Sequence, residues 1–484
     1  MGKKEYDVVV VGSGPNGLAA AITMQYAGLS VLLVEAKDTI GGGLRTKELI
    51  LPGFKHDVCS AVHPLAAGSP FFQQLPLQSY GLDYIYPTIA AAHPFDDGSA
   101  VALKKSLEET AAALGADEKK YIQLVKPLLN DWPGLAPDVL GPLHFPNHPA
   151  ALAKFGMKAL LPSSVLSKRF YSEHAKGLWA GMSAHGMQPF TNIASSAIGL
   201  VLLVAGHLKG WPVAAGGSQS IADALAAYFV TLGGTIETNF EVQTLGQLPT
   251  SDAVLFDLAP KQILQIAGER FSSFYKWQLK RYRYGMGVFK IDWALNGPIP
   301  FTATDCRRAG TVHLGNTYAE IAAGESQTSK GRLVEHPFVL LAQPSLFDAS
   351  RAPVGKHTAW AYCHVPNGSQ ADMTTAIEKQ VERFAPGFRD TILAKHTLNT
   401  VQIQSYNSNY VGGDINGGAI DITQLFTRPA VRLSPYRTAA KGIYICSAST
   451  PPGGGVHGMC GYYAAKKALK DVFNLEEKIG LAGR

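Results

Sequence analysis

The chain of 484 residues is too long for one small core, and at about 150 residues per domain it suggests roughly three units. Hydrophobic residues make up 46% and charged residues 17%, a globular balance that excludes extended disorder. The net charge of +6 comes from dispersed Lys and Arg rather than a basic block, so no nucleic-acid partner is expected.

Cys59, Cys306, Cys363, Cys446 and Cys460 form neither a CxxC nor a CxxxxC pair and show no zinc spacing. This argues against a dithiol redox centre and a structural metal, so no metal is expected. The odd cysteine count fits a reducing compartment, and a cytoplasmic location is expected. No apolar stretch approaches the roughly 20 residues that a spanning helix needs. The nearest, Ala194 to Ala205, holds two serines and reads as a buried helix.

The chain enters a strand pattern within six residues of Met1, which leaves no expected secretory leader. Asp7 to Val11 reads as a strand, Gly17 to Ala27 as a helix and Ser30 to Glu35 as a second strand, a βαβ beginning. Leu49 to Asp97 is rich in Pro, Gly and aromatics, which predicts loops and short strands. Leu103 to Leu129 reads as helical, and Pro and Gly then crowd Trp132 to Pro149.

Ala150 to Phe170 is basic and amphipathic and is expected to form a cap or lid, broken into two short helices at Pro162. Leu152, Phe155, Leu160 and Leu161 supply its apolar contacts, and Lys154, Lys158, Lys168 and Arg169 its charge. Ser220 to Leu232 reads as a helix leading to a strand at Thr235 to Glu237, which returns the chain to the first sheet. Val254 to Phe256 is another buried strand, and a β-rich region opens at Gly285 to Pro300. At the end come a strand at Gly442 to Cys446, a Pro/Gly loop at Thr450 to Gly458 and a helix at Gly461 to Phe473.

The strongest motif is Gly12-Ser13-Gly14-Pro15-Asn16-Gly17, set between a strand and a helix. Gly12 permits the tight turn, Gly14 lets the backbone approach a pyrophosphate, and Gly17 lets helix and strand pack closely. Glu35 follows Gly14 by 21 residues at the end of the second strand, where a carboxylate accepts hydrogen bonds from a ribose diol. Its charge argues against a 2′-phosphate there. Ala36 and Lys37 continue into Gly42-Gly43-Leu44-Arg45-Thr46, where glycines allow a turn beside the ligand and Arg45 offers a guanidinium to phosphate or ring oxygens.

This glycine doublet and the closing segment from Lys441 to Met459 resemble the phytoene desaturase family and its phytoene dehydrogenase-related branch. Gly210 to Gly217, Tyr284 to Leu295, Gly412 to Ile415, Arg428-Pro429 and Tyr436 to Thr438 extend the resemblance over nearly the whole chain. It implies non-covalent FAD, with Val242 beside the adenine, Ser60, Ala61, Val62 and His63 near the flavin, and Ser447, Val456, His457, Gly458 and Met459 on its other approach. Only one complete fingerprint is present, so no resident NAD domain is expected. The chain departs from the carotenoid desaturases at Thr450-Pro451-Pro452, where they often carry Thr-His-Pro.

The expected fold class is α/β, with a Rossmann-type FAD-binding domain interleaved with a mixed-sheet substrate domain and a helical cap. The resemblance divides the chain into FAD-binding segments at 1–100, 210–275 and 436–484, a cap at 101–209 and a substrate domain at 276–435. It implies hydride transfer between flavin and a C–C bond of an apolar isoprenoid or polyene-like substrate. Desaturation, saturation and isomerisation stay open. So do amine oxidation and a role as an assembly or regulatory factor whose FAD does not turn over.

His457 and His63 are the candidates for proton handling, because His titrates near neutrality. Lys290 and Asp292 alternate on a strand and face one side of it. The expected partners are an apolar small molecule, a membrane surface met peripherally and a second copy of the chain.

Overall fold

The computed structural model describes residues 5–476. In chain order its main strands are β1 (Val8–Val11), β2 (Val31–Val34), β3 (Ile89–Pro94), β4 (Ala100–Lys104), β5 (Thr235–Glu237) and β6 (Ala253–Phe256). They continue with β7 (Gly287–Leu295), β8 (Ala309–Leu314), β9 (Val339–Ala342), β10 (His357–Val365), β11 (Ile392–Leu398) and β12 (Ile443–Ile445). The principal helices are α1 (Pro15–Tyr26), α2 (Glu118–Val139), α3 (Pro149–Ala159), α4 (Glu173–Ala184), α5 (Ser196–Leu208), α6 (Gln219–Thr231) and α7 (Met459–Ala468).

Four consecutive buried valines make β1 the centre of a parallel sheet ordered β12-β6-β1-β2-β5. Such a sheet is covered on both faces, which is why its strands read as unbroken apolar runs rather than alternating ones. Val8 and Val10 pack against α1, α6 and α7. Val9 and Val11 point the other way, into a cluster with Ile263, Phe271 and Tyr275. The carboxyl ends of the strands therefore lie along one edge, where ligands bind in doubly wound folds.

The second sheet is mixed and ordered β11-β7-β10-β9-β8-β3-β4. Within it β8 and β3 run parallel, and every other neighbour pair is antiparallel. One face holds Phe289, Ile291 and Trp293 over the helix Thr374–Phe384. The other face carries Val288, Trp360 and Tyr362 toward the parallel sheet and the cap. This is the α/β fold class expected from the sequence.

Three expectations need correction. The boundary placed at residue 100 cuts β4, and β3 and β4 pair in the mixed sheet rather than with the fingerprint strand. Their composition signals short strands without saying which sheet receives them. The helix expected from Leu103 to Leu129 is instead the end of β4, a short helix at Leu107–Ala112 capped by Ser106, and the start of α2. The Pro-rich stretch after Trp132 is helical as far as Val139 despite Pro133 and Pro137. Tyr121, Leu124, Val125, Leu128, Trp132, Leu135 and Ala136 bury a continuous stripe at helical spacing, and that burial outweighs the three backbone donors missing at Pro127, Pro133 and Pro137.

The basic segment does break at Pro162, into α3 and the turn Ser163–Leu166. Its apolar residues divide differently from expectation. Phe155 is buried in the cap core, and Leu152 and Leu161 pack against it. Met157, Leu160 and Val165 remain exposed beside Lys154, Lys168 and Arg169.

Candidate active site

The turn between β1 and α1 is shaped by backbone contacts. Gly12 has φ +100°, a left-handed geometry that favours glycine, and a Cβ on Gly17 would fall 1.9 Å from the Gly12 carbonyl oxygen. Gly42 lies over this turn, since a Cβ there would come within 3.0 Å of the Gly14 Cα. Fingerprint and glycine doublet thus meet face to face.

Glu35, at the end of β2, is deeply engaged. One carboxylate oxygen accepts from the Ser13 amide at 3.0 Å and the Ser13 hydroxyl at 2.5 Å. The other accepts from the Lys37 amide at 3.0 Å and Arg45 Nη2 at 3.1 Å. Arg45 also donates to the Thr39 carbonyl at 2.8 Å and lies over the Tyr406 ring. The guanidinium expected to reach a phosphate or ring oxygen lines the cavity and also fixes the Glu35 carboxylate.

One cavity of about 740 Å³ runs from this turn to the mixed sheet. Of the residues read from the sequence, Gly12, Ser13, Gly14, Pro15, Asn16, Glu35, Ala36, Lys37, Gly42, Gly43, Leu44, Arg45, Ser60, Ala61, Val62, His63, Val242, Ser447 and Val456 line it. Gly17, Thr46, His457, Gly458 and Met459 are not among the lining residues.

Gly17 serves helix–strand packing and donates its amide to Asp257. The Thr46 hydroxyl turns to Asp57 at 2.7 Å. Gly458 packs against Phe72 and Ala19, and Met459 begins α7 in the core. His457 is buried, accepts the Met459 amide on Nδ1 at 3.0 Å and has its pKa lowered to about 4 by burial. In this geometry it caps a helix start rather than facing the cavity.

His63 does reach the cavity. Its ring sits between Ser60 Oγ at 3.3 Å and Ser218 Oγ at 2.9 Å, and burial lowers its pKa to about 4, so the imidazole is neutral. Ser218 is held through its amide by Asp57 at 2.8 Å, and Asp57 pairs with buried Arg351 at 2.7 Å. This network fixes the Ser60 to His63 wall. Cys59 lines the same wall and donates its thiol to Tyr410 at 3.5 Å, and burial raises its pKa and disfavours a thiolate.

Lys290 also lines the cavity and donates to Asp292, which is completely buried, so the pair brings no net charge. His56 Nδ1 lies 3.8 Å from that carboxylate, and burial lowers its pKa to about 4. Arg428, also buried, donates to the Ala448 carbonyl at 2.9 Å and thereby holds the turn after β12 against the cavity.

Sequence reasoning missed Asp257. It follows β6 at the carboxyl edge of the parallel sheet, lines the cavity and accepts the Gly17 amide at 2.9 Å. Burial, with Glu35 adding repulsion, raises its pKa to about 7. An acid directly after a buried strand was the available signal, but its place beside the fingerprint depends on β6 pairing with β1.

These residues fit a dinucleotide. Gly14 has no room for a side chain, since a Cβ would stand 2.6 Å from Asp257 Oδ2. The Asn16 side-chain oxygen is buried in the cavity wall without a partner. A Cβ on Gly43 would fall 2.2 Å from the Tyr410 hydroxyl, so the doublet closes tightly around the cradle. The helix start of α1 faces this region with its positive end, as an anionic ligand requires.

Fold, fingerprint and cradle place the chain among the FAD-dependent oxidoreductases, and FAD is its cofactor; the family model described as FAD dependent oxidoreductase matches residues 7–63. Similar proteins extend the match to nearly the full length. Pyridine nucleotide-disulfide oxidoreductase domain-containing protein 2 of Mus musculus is 26% identical, covering 98% of this chain and 95% of the relative. A polypeptide of the limonene dehydrogenase of Castellaniella defragrans is 24% identical, covering 97% and 95%. The lycopene-forming phytoene desaturase of a Paracoccus species is 23% identical, covering 94% and 95%.

Among solved structures, an oxidoreductase from Methanosarcina mazei superposes with a TM-score of 0.65 at 16% identity, over 95% of this chain and 99% of that one. Putrescine oxidase bound to putrescine gives 0.61 at 15%, over 97% and 99%. These likenesses establish the fold.

Proposed function

We propose that the protein oxidises or reduces a C–C bond of an apolar isoprenoid or polyene-like molecule. The observation that carries this reading is the distribution of polarity along the cavity. Its acidic lining residues, Glu35, Glu241 and Asp257, belong to the fingerprint turn and to the loops that follow β5 and β6. Toward the mixed sheet the walls are Leu65, Leu202, Trp211, Val288, Leu340 and Ile403, with Lys290 neutralised by Asp292.

A substrate ammonium would find no free carboxylate among the described lining residues there, and burying an unpaired charge is costly. An apolar chain finds contact with these side chains. The full-length similarity to the limonene dehydrogenase polypeptide and to phytoene desaturase supports the same reading.

FAD, when bound, supplies a two-electron acceptor or donor for hydride. The protein's own part is to orient substrate in the chamber that Ser60 to His63 and the mixed sheet line and to exclude water with apolar side chains. His63, neutral and fixed between two hydroxyls, is the group on the Ser60 to His63 wall able to accept a proton.

Amine oxidation remains the second reading, on the strength of the fold shared with putrescine oxidase. Anaerobic mixing with candidate isoprenoids, polyenes and amines, read by loss of the flavin's visible absorption, separates the two. We further infer peripheral contact with an anionic membrane through Met157, Leu160 and Val165 with Lys154, Lys168 and Arg169, which are exposed together on the cap. No helix among the described residues is long and apolar enough to cross a membrane.

A further inference from the structure

The mixed sheet forms one wall of the chamber, and its register sorts the residues there into rows. Across the sheet, Asp292 of β7 is opposite Trp360 of β10, Trp360 is opposite Ala342 of β9, and Ala342 is opposite Thr311 of β8. The next row in register is Lys290, Tyr362, Leu340 and His313. Directly opposed residues share a face, so both rows lie on the chamber side, where Lys290, Tyr362, Leu340, Thr311 and Trp360 line the cavity.

Four side-chain atoms of these rows have no hydrogen-bond partner in the protein, Asp292 Oδ1, His313 Nδ1, Thr311 Oγ1 and Trp360 Nε1, and the last two belong to residues that line the cavity. Thr311 is fully buried with Oγ1 unpaired, and Trp360 is 7% exposed with Nε1 unpaired. Buried donors are almost always satisfied, so two orphans on one cavity wall call for a group that comes from outside the chain. The small Ala342 stands between them in the row.

The third group is His185, at the end of α4. Helix α4 lies close over the sheet because Gly181 presses on the His313 ring, where a Cβ would meet Nδ1 at 2.5 Å. One turn later His185 lines the cavity, with Nε2 3.0 Å from His313 Nε2 and its ring edge-on to Trp211. Burial lowers the His185 pKa to about 3, so this group is neutral, as is the Lys290–Asp292 pair.

We propose that Thr311 and Trp360, with His185 on the same wall, form a hydrogen-bonding subsite that takes a neutral acceptor oxygen, a carbonyl, of an otherwise apolar terpenoid. The indole N–H only donates, and a hydroxyl can turn to donate, so both suit an oxygen with free lone pairs. The absence of net charge in this wall distinguishes such an oxygen from a carboxylate or phosphate. The proposal rests on the apolar-substrate reading above and narrows it from hydrocarbons to oxygenated terpenoids.

Limonene and carvone share one carbon skeleton and differ by a ketone, which makes them matched probes. Each is titrated into the FAD-loaded protein, and binding is read from the shift of the flavin's visible spectrum. Carvone is expected to bind about tenfold more tightly than limonene, the effect of one net hydrogen bond. Trp360→Phe and Thr311→Val should each erode that preference by removing one donor, and limonene affinity, measured alongside, separates loss of the donor from loss of contact. Thr311→Ser, which retains the hydroxyl, should retain the preference.

Retained limonene binding shows that each variant is folded around its chamber. Should a variant lose limonene as well, Thr311→Ser decides: preference retained there supports the subsite, and preference absent there overturns it. Equal binding of both terpenes to the unaltered protein overturns the subsite and leaves the apolar chamber standing. Binding of neither overturns the apolar-substrate reading and the subsite with it.

Discussion

Asp257 accepts the Gly17 amide at the helix start that the fingerprint offers to phosphate, so one site serves two anions. Its carboxyl is raised from 3.8 to about 7, first by burial and then by Glu35. Folding therefore favours the protonated form: its contribution to stability is complete below pH 3.8 and is lost as pH rises through about 7. The same ionisation sets a negative charge beside a bound pyrophosphate. FAD affinity is expected to fall as pH rises through about 7, and Asp257→Asn should flatten the dependence; a titration of FAD fluorescence against pH at constant ionic strength checks this.

Gly14→Val should abolish flavin loading, because even a Cβ at this position stands 2.6 Å from Asp257 Oδ2. Flavin content after reconstitution reads that result directly. The demand for glycine at position 14 was legible in the sequence, since it is a matter of backbone space and spacing along a single βαβ unit. The pairing of Arg45 with Glu35 was not, because it depends on how the glycine doublet folds back across the end of β2.

Among the elements, α7 shows how a loop histidine can be structural. The Nδ1 of His457 accepts the Met459 amide at the start of this helix, and the His457 carbonyl accepts from Ser69 at 2.6 Å. His457→Ala should destabilise the fold by about 1–3 kcal/mol, the cost of leaving a buried donor unpaired, which thermal melting measures. Flavin reduction by substrate, measured at a temperature where the variant is folded, should be unchanged within about threefold, a difference worth less than one net hydrogen bond.

The cap was partly legible. Pro162 correctly signalled a break, whereas Pro133 and Pro137 did not stop α2, which continues past Trp132 and buries Leu135 and Ala136. If the exposed face of α3 meets a membrane, charge reversal at Lys154 and Lys168 together with Met157→Ser should release the protein from anionic vesicles in a sedimentation assay. The loss should be largest at low salt, where attraction is least screened.

At the scale of the whole molecule, the two sheets divide the chemistry. The parallel sheet presents glycines, Glu35 and Asp257 to a dinucleotide, and the mixed sheet closes the same cavity with an almost neutral wall. The first sheet could be read from the sequence because each strand and its helix are neighbours in the chain. The second could not, because β3 and β4 join β8 from more than 200 residues away and the facing rows appear only once that register is set.

The contrast between an acidic dinucleotide end and a neutral chamber is the basis for assigning an apolar substrate. Anaerobic titration of the FAD-loaded protein with an isoprenoid or polyene series and with putrescine, followed by the visible flavin absorption, tests that assignment most directly. The account predicts that an apolar member changes the redox state of the flavin, bleaching the oxidised form or recolouring the reduced one, and that putrescine does neither. Bleaching by putrescine with no response to any isoprenoid or polyene would contradict it.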